Sequence, residues 1–276
     1  MKRILARQVR AALRNRLGKS AKDMPGTVVI WAGESRLDRT PIMVVASNMT
    51  RPSANTKTGD MIQVSIMRQD MAPMEAWKQG LDGAVCPKAC EHRSKQRGGT
   101  GACYVNKARL EATWKAANRY LKSNGALCYQ MPAGLFEGAE LRFGMEGDPS
   151  SVPLFVWSWT LVGARNHNGY TANWRDLNPA WASIFMASCS TVADSFRAKA
   201  KGWRVFAASV STDMDKQLEQ AGFRACLSDS HNVQCASCFG CNGTSKGKKR
   251  QSFFVQLHGA TGAKLRRDAN KQKVAA

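Results

Sequence analysis

Four of the chain's nine cysteines fall within one short stretch, CLSDSHNVQCASCFGCNG, at residues 226–243. Cys226, Cys235, Cys238 and Cys241 are separated by eight, two and two residues. Such spacing belongs to metal ligation, because thiolates close together in sequence can turn onto one ion or cluster. A second group, Cys86, Cys90 and Cys103, lies in VCPKACEHRSKQRGGTGACYVN. The four thiols of the later stretch are enough for tetrahedral zinc unaided. They equally suit an iron–sulfur cluster, and two-residue gaps on both sides of Cys238 sit more comfortably around a cubane than around one small ion. The earlier group offers three thiols and leaves one position open, unless His92 completes a zinc site. Cys128 and Cys189 stand outside both groups and read as packing residues.

No other catalytic set stands out. The chain has no phosphate-binding Walker loop, no GxSxG elbow and no HExxH pair. His167, in Asn-His-Asn, is not a paired-histidine metal site. A nicking nuclease would need a tyrosine, for which Tyr104, Tyr120, Tyr129 and Tyr170 are unranked candidates.

The elements that must position these residues alternate. TVVIWAG, PIMVVAS and DMIQVSIMR have strand composition, and KARLEATWKAANRYLKSNG is a helix ended by Gly125. Beyond it come a strand in AELRFGMEGDP, an apolar helix in SSVPLFVWSWTLVGA, and short strands in NGYTANW and SIFMASCS. Next are a helix capped by Thr191 and Asp194, the strand WRVFAASVS and the helix DMDKQLEQAG. Strand and helix alternation predicts an α/β fold with a mainly parallel sheet, as a full or partial (β/α) barrel carrying cysteine-bound metal loops. Working residues in such folds sit at strand carboxyl ends. Four ends carry polar groups: Glu146-Gly147-Asp148, Thr171-Ala172-Asn173, Ser188-Cys189-Ser190, and 209–213. Glu146 and Asp148 are the candidate catalytic acids. Gly144, Gly147, Thr171 and Asn173 are candidates for holding a cofactor, the glycines because backbone without Cβ can approach a ligand closely. Each polar end also suits a plain helix cap.

A net charge of +21 on 276 residues implies a polyanionic partner. The excess is concentrated: residues 1–24 and 244–276 hold seventeen basic residues against two aspartates. The expected layout is a basic helical extension over 1–24, one α/β metal-binding domain over 25–260 and a basic tail over 261–276. Arg7, Arg10, Arg14, Lys248, Lys249, Arg250, Arg266 and Arg267 are the candidate contacts to a nucleic-acid backbone, DNA or RNA, without sequence preference. In residues 2–18, Leu5, Val9, Leu13 and Leu17 recur every fourth position. Such a helix can lie on nucleic acid, on an anionic membrane or on the protein's own body. No apolar run is long enough to span a membrane and no signal peptide is evident, so the expected location is a cytoplasm, with cysteines as thiols or ligands.

Taken together, TGDMIQVSIMR, VCPKACEHR with CYVN, LRFGMEGDPSSVP, GYTANWR, MASCSTVADSFRAKAKGWRVF and CASCFGCNGTSKGKKRQSFFVQLHG resemble an uncharacterised cysteine-rich family of phages, plasmids and mobile elements. The similarity spans roughly residues 53–260. More distantly, the RFGMEGDP to GYT portion is similar to phage proteins with a radical-SAM-like barrel. The resemblance implies a (β/α) barrel or part of one, a cysteine-bound iron–sulfur cluster with S-adenosylmethionine as a further cofactor to consider, and a bacterial host, but no known reaction. The sequence departs from the pattern at Cys226-Leu227, where the family loop usually opens Cys-Pro. It departs again at Cys189, where an acid is common. The first group also lacks the CxxxCxxC spacing of radical-SAM enzymes. The expectation is a mobile-element iron–sulfur protein acting with nucleic acid. Its alternatives are a non-enzymatic zinc-stabilised nucleic-acid-binding protein and a replication-initiation or nicking protein.

Overall fold

The computed structural model describes residues 2–20, 22–51, 53, 55–244 and 251–274. Its first three strands, β1 (Thr27–Glu34), β2 (Pro41–Ser47) and β3 (Ile62–Arg68), form an antiparallel meander. Their β-branched and apolar side chains are buried on both faces, which suits strands covered from two sides. Val28, Ile30, Ile42, Val44, Ile62, Val64 and Ile66 enter the main core. Val29, Met43, Val45 and Met67 face the other way, where Leu110 and Ala117 cover them.

From β3 onward every pairing is parallel. β4 (Glu140–Arg142) lies beside β3, and β5 (Asn166–Asn168) beside β4. A second sheet runs β6 (Tyr170–Thr171), β7 (Met186–Cys189), β8 (Val205–Ser209), β10 (Phe253–Gln256) and β9 (Arg224–Ala225), all parallel. One residue, Gly169, separates β5 from β6. Phe143 donates its N–H to the Asn168 carbonyl on one side, and Met186 donates to the Gly169 carbonyl on the other. The two sheets therefore run into one another, and a Cβ at Gly169 would meet Phe185 at 2.8 Å. Among the described residues no pairing joins β1 to β9, so the sheet stays open. The fold is α/β with a mainly parallel sheet, and closure into a barrel is absent from these pairings.

The helices are α1 (Lys2–Arg16), α2 (Pro73–Lys78), α3 (Glu111–Asn124), α4 (Leu154–Leu161), α5 (Val192–Ala200), α6 (Thr212–Gln220), the single turns α7 (Leu227–Ser230) and α8 (Cys235–Cys238), and α9 (Gly259–Val274). Thr191 caps α5 by accepting the Asp194 N–H, and Ser211 caps α6 by accepting the Met214 N–H. Among the described residues no helix is long and apolar enough to cross a membrane.

Both basic termini are docked on the body. Leu13 of α1 is fully buried, with Val9 and Leu17 packed on the same core. Arg10 is buried too, donating to the carbonyls of Asn48 and Asp60 at 3.2 Å each. Of the three settings open to this helix, the protein's own body is the one it occupies. At the other end, the expected basic tail is the helix α9. Its Arg266 forms a half-buried ion pair with Asp215 and donates to the Ser209 hydroxyl at 3.2 Å.

Candidate metal–thiolate site

Loop 85–103 carries Cys86, Cys90 and Cys103 to the carboxyl ends of β4, β6 and β7. The Asp148 N–H donates to the Val85 carbonyl at 2.7 Å, and His92 Nε2 lies 3.4 Å from the Ser190 hydroxyl just beyond β7. Burial pushes the Cys90 thiol up to about 12, and the nearby carboxylate of Asp148 adds to it. Burial also raises Cys86 and Cys103, with Glu146 acting in the same direction on both. Backbone N–H groups oppose this at two sulfurs: His92 donates to Cys90 and Val105 to Cys103.

Beneath these thiols lies an ion pair that no sequence pattern signalled. Lys107 Nζ stands 3.2 Å from Glu146 Oε2 and 3.4 Å from Cys103 Sγ, and both charged side chains are only 3% exposed. The ammonium also sits 4.2 Å over the Trp77 ring. Burial works against the lysine's charge, but Glu146, Cys103 and Cys86 outweigh it and hold the ammonium above its usual range. Burial raises the Glu146 carboxyl and Lys107 pulls it back. Glu146 is thus committed to a partner.

Asp148 is committed as well. Its carboxylate accepts from Ser150 N at 2.9 Å, Thr171 Oγ1 at 2.7 Å and Ala172 N at 2.7 Å. It caps the turn 149–151 and ties the end of β4 to the end of β6. Thr171 in turn accepts the Asn173 N–H at 3.1 Å. Two of the expected strand ends therefore meet through side chains, and Ser190 joins them through His92. The fourth, at Ser209, is occupied by Arg266. The glycines serve the fold: Gly144 and Gly147 have φ of 66° and 78°, and a Cβ at Gly147 would lie 2.8 Å from Ile66. For Gly147 the close approach is to the neighbouring strand β3, not to ligand space.

The later cysteines lie against the strand face at Tyr170. Cys226, Cys235, Cys238 and Cys241 line one pocket with His167, Asn168, Tyr170, Phe239 and Phe253. The segment is held from several sides. Cys226 donates its N–H to Phe254 O at 2.8 Å, Cys235 to Lys57 O at 2.8 Å, and Gly169 to Cys241 O at 3.2 Å. Phe239, at φ 54°, turns the chain between Cys238 and Cys241. Burial raises Cys226, Cys235 and Cys241, and the neighbouring thiols of the set add to the rise at the latter two. Hydrogen bonds to sulfur oppose it: the N–H groups of Ser228 and Asp229 reach Cys226, and the Tyr170 hydroxyl reaches Cys241. Donors aimed at sulfur favour thiolate, and they are what tunes a thiolate-bound metal or cluster. The donor set therefore fits such a group. As placed, however, no three His, Cys, Asp or Glu side chains among the described residues stand in the geometry of a bound ion.

Tyr104 links the two regions. It follows Cys103, accepts a hydrogen bond from Arg142 at 3.2 Å and packs on His258 at 5.0 Å between ring centroids. Cys189 is buried and Cys128 packs on the main core, as their sequence contexts imply. Of the basic residues singled out, Arg7 and Arg267 are exposed and Arg14 is half-buried, whereas Arg10 and Arg266 are turned inward. Lys248, Lys249 and Arg250 lie outside the described residues. Comparisons with protein-family models, curated proteins and solved structures return no match.

Proposed function

We propose that this chain is a metal–thiolate α/β protein in which Cys226, Cys235, Cys238 and Cys241 hold an iron–sulfur cluster and which acts with nucleic acid. The observation that carries the reading is the convergence of four thiols on one pocket, with an N–H or hydroxyl donor aimed at two of them. A bound cluster would supply one-electron chemistry. The chain's own part is to exclude water with Tyr170 and Phe253 and to fix the loop through backbone bonds from Lys57, Gly169 and Phe254. Cys86, Cys90 and Cys103 form a second thiol set with an open position, placed beside polar strand ends. Of the basic residues singled out, Arg7 and Arg267 are exposed and Arg14 half-buried, so these three are placed to meet phosphates.

Anaerobic purification followed by iron, sulfide and zinc analysis tests this reading. The expected outcome is iron with sulfide and a visible absorption that dithionite bleaches. Cys235→Ser and Cys241→Ser are expected to lose that signal, whereas Cys128→Ser keeps it. Zinc in place of iron would convert the reading to a zinc-stabilised module. A metal-free chain with every thiol open to alkylation would overturn it.

A further inference from the structure

Two arginines flank the pocket of Cys226, Cys235, Cys238 and Cys241, and both are nine-tenths or more buried: Arg142 at 9% and Arg204 at 6% exposure. Arg204 clasps the loop on both sides of Cys241. It donates to the carbonyls of Gly240 and of Gly243, the latter at 2.6 Å, to Asn242 Oδ1 at 3.0 Å and to Gln251 O at 2.9 Å. Asn242 in turn donates to Asn166 Oδ1 at 3.2 Å, anchoring the clasp to β5. Arg142, on β4, is paired in register with Asn168, which lines the pocket. Its guanidinium donates to Gln63 Oε1 at 3.4 Å and to the Tyr104 hydroxyl at 3.2 Å.

Every one of these partners is neutral. Among the described residues neither arginine pairs with a carboxylate, although eight other arginine–carboxylate pairs form. A guanidinium out of water is costly unless hydrogen bonds and a nearby negative charge compensate it. The missing negative charge has one evident source. Arg204 holds the carbonyls of Gly240 and Gly243 on either side of Cys241, and Arg142 is in register with Asn168, which lines the pocket of the four cysteines. A divalent ion, or a cluster core of equal charge, ringed by four thiolates keeps a net negative charge.

The geometry points to Arg142 and Arg204 as the built-in counter-cations of a four-thiolate site of net negative charge, with Arg204 also the positioning residue that folds the loop around Cys241. This inference rests on the metal–thiolate reading and adds to it the charge of the bound group and two residues that set its stability. Neutral ligation, with thiols still protonated, leaves the two guanidiniums unexplained.

The test compares wild type with Arg142→Gln, Arg142→Lys and Arg204→Lys, each checked for folding by circular dichroism. Arg39→Gln, at an exposed arginine, serves as control. If wild type carries no metal at these cysteines, the underlying reading fails before the variants are measured. If it carries an iron–sulfur cluster, Arg142→Gln is expected to lower the reduction potential. A tenfold shift in the oxidised-to-reduced ratio corresponds to about 59 mV for a one-electron couple. Arg142→Lys, which keeps the charge, restores most of the shift. If the metal is zinc, the readout is retention against a chelator, weakened about tenfold by Arg142→Gln. Arg204→Lys keeps the charge but loses the fork, so metal retention drops while the potential of what remains stays near wild type. Metal content and potential unchanged in Arg142→Gln would overturn the inference while leaving the metal site itself standing.

Discussion

At the residue scale, charge is placed where water is absent. Lys107 and Glu146 satisfy one another beneath Cys103, each only 3% exposed. Removing one member of such a pair strands the other in the interior. Lys107→Met is therefore expected to destabilise the protein by about 3–5 kcal/mol, read as a lower urea midpoint at unchanged slope. The double variant Lys107→Met/Glu146→Leu removes both charges and is expected to recover most of that loss. A Lys107→Met protein as stable as wild type would mean that Glu146 takes up a proton at no cost and that the pair is not ionic. Glu146 was legible in the sequence as an acid at a strand end. Its partner was not, because a lysine at the mouth of an amphipathic helix reads as solvated until the strand end folds over it. Arg142 and Arg204 were hidden for the same reason: burial of a charge depends on contacts far apart along the chain.

At the element scale, most of the framework was legible. The β-branched runs of β1 to β3, the Thr191 cap of α5 and the strand and helix alternation after residue 139 all carry local signals that the tertiary structure respects. The four cysteines of the later stretch were legible as one group because their spacing is local, and they line one pocket. What local signals could not report is docking. The recurrence of Leu5, Val9, Leu13 and Leu17 marks an apolar stripe but not the surface that meets it, and an arginine-rich flank disguised a core element as an extension. Arg10 shows why: its guanidinium is used up on the carbonyls of residues 48, 51 and 60. Likewise, α9 reads as a tail until Arg266 reaches Asp215 and Asn270 accepts the Thr212 N–H at 3.0 Å. Both termini should therefore behave as parts of the body. Leu13→Ala is expected to cost about 2–5 kcal/mol, the range for emptying a buried leucine site, whereas Arg7→Gln on the exposed face of the same helix leaves stability within about 0.5 kcal/mol. Equal urea midpoints for the two variants would show that α1 is not packed on the core.

At the scale of the whole molecule, inward-facing arginines change how the net charge of +21 can be used. Arg10, Arg142, Arg204 and Arg266 are each engaged with groups of the protein itself, so they release no counterions when a polyanion arrives. The outward set among the described residues includes Arg7, Arg14 and Arg267. Charge that grips phosphates leaves a signature that solvated charge does not: the logarithm of the binding constant falls linearly with the logarithm of salt, by about 0.9 for each phosphate neutralised on duplex DNA. The triple variant Arg7→Gln/Arg14→Gln/Arg267→Gln is expected to bind single- and double-stranded nucleic acid more weakly. Its salt slope should be smaller by up to about one for each phosphate no longer neutralised. Arg10→Gln provides the contrast, since it should lower the urea midpoint and leave the slope alone. Binding is to be followed at several salt concentrations below the unfolding range, so that a fall in affinity and a failure of the fold are separated. A triple variant with the wild-type slope would remove these three arginines from the interface. The basic run that includes Lys248, Lys249 and Arg250 would then be the next segment to neutralise. A smaller slope in Arg10→Gln while it remains folded would instead mean that α1 leaves the body when nucleic acid binds.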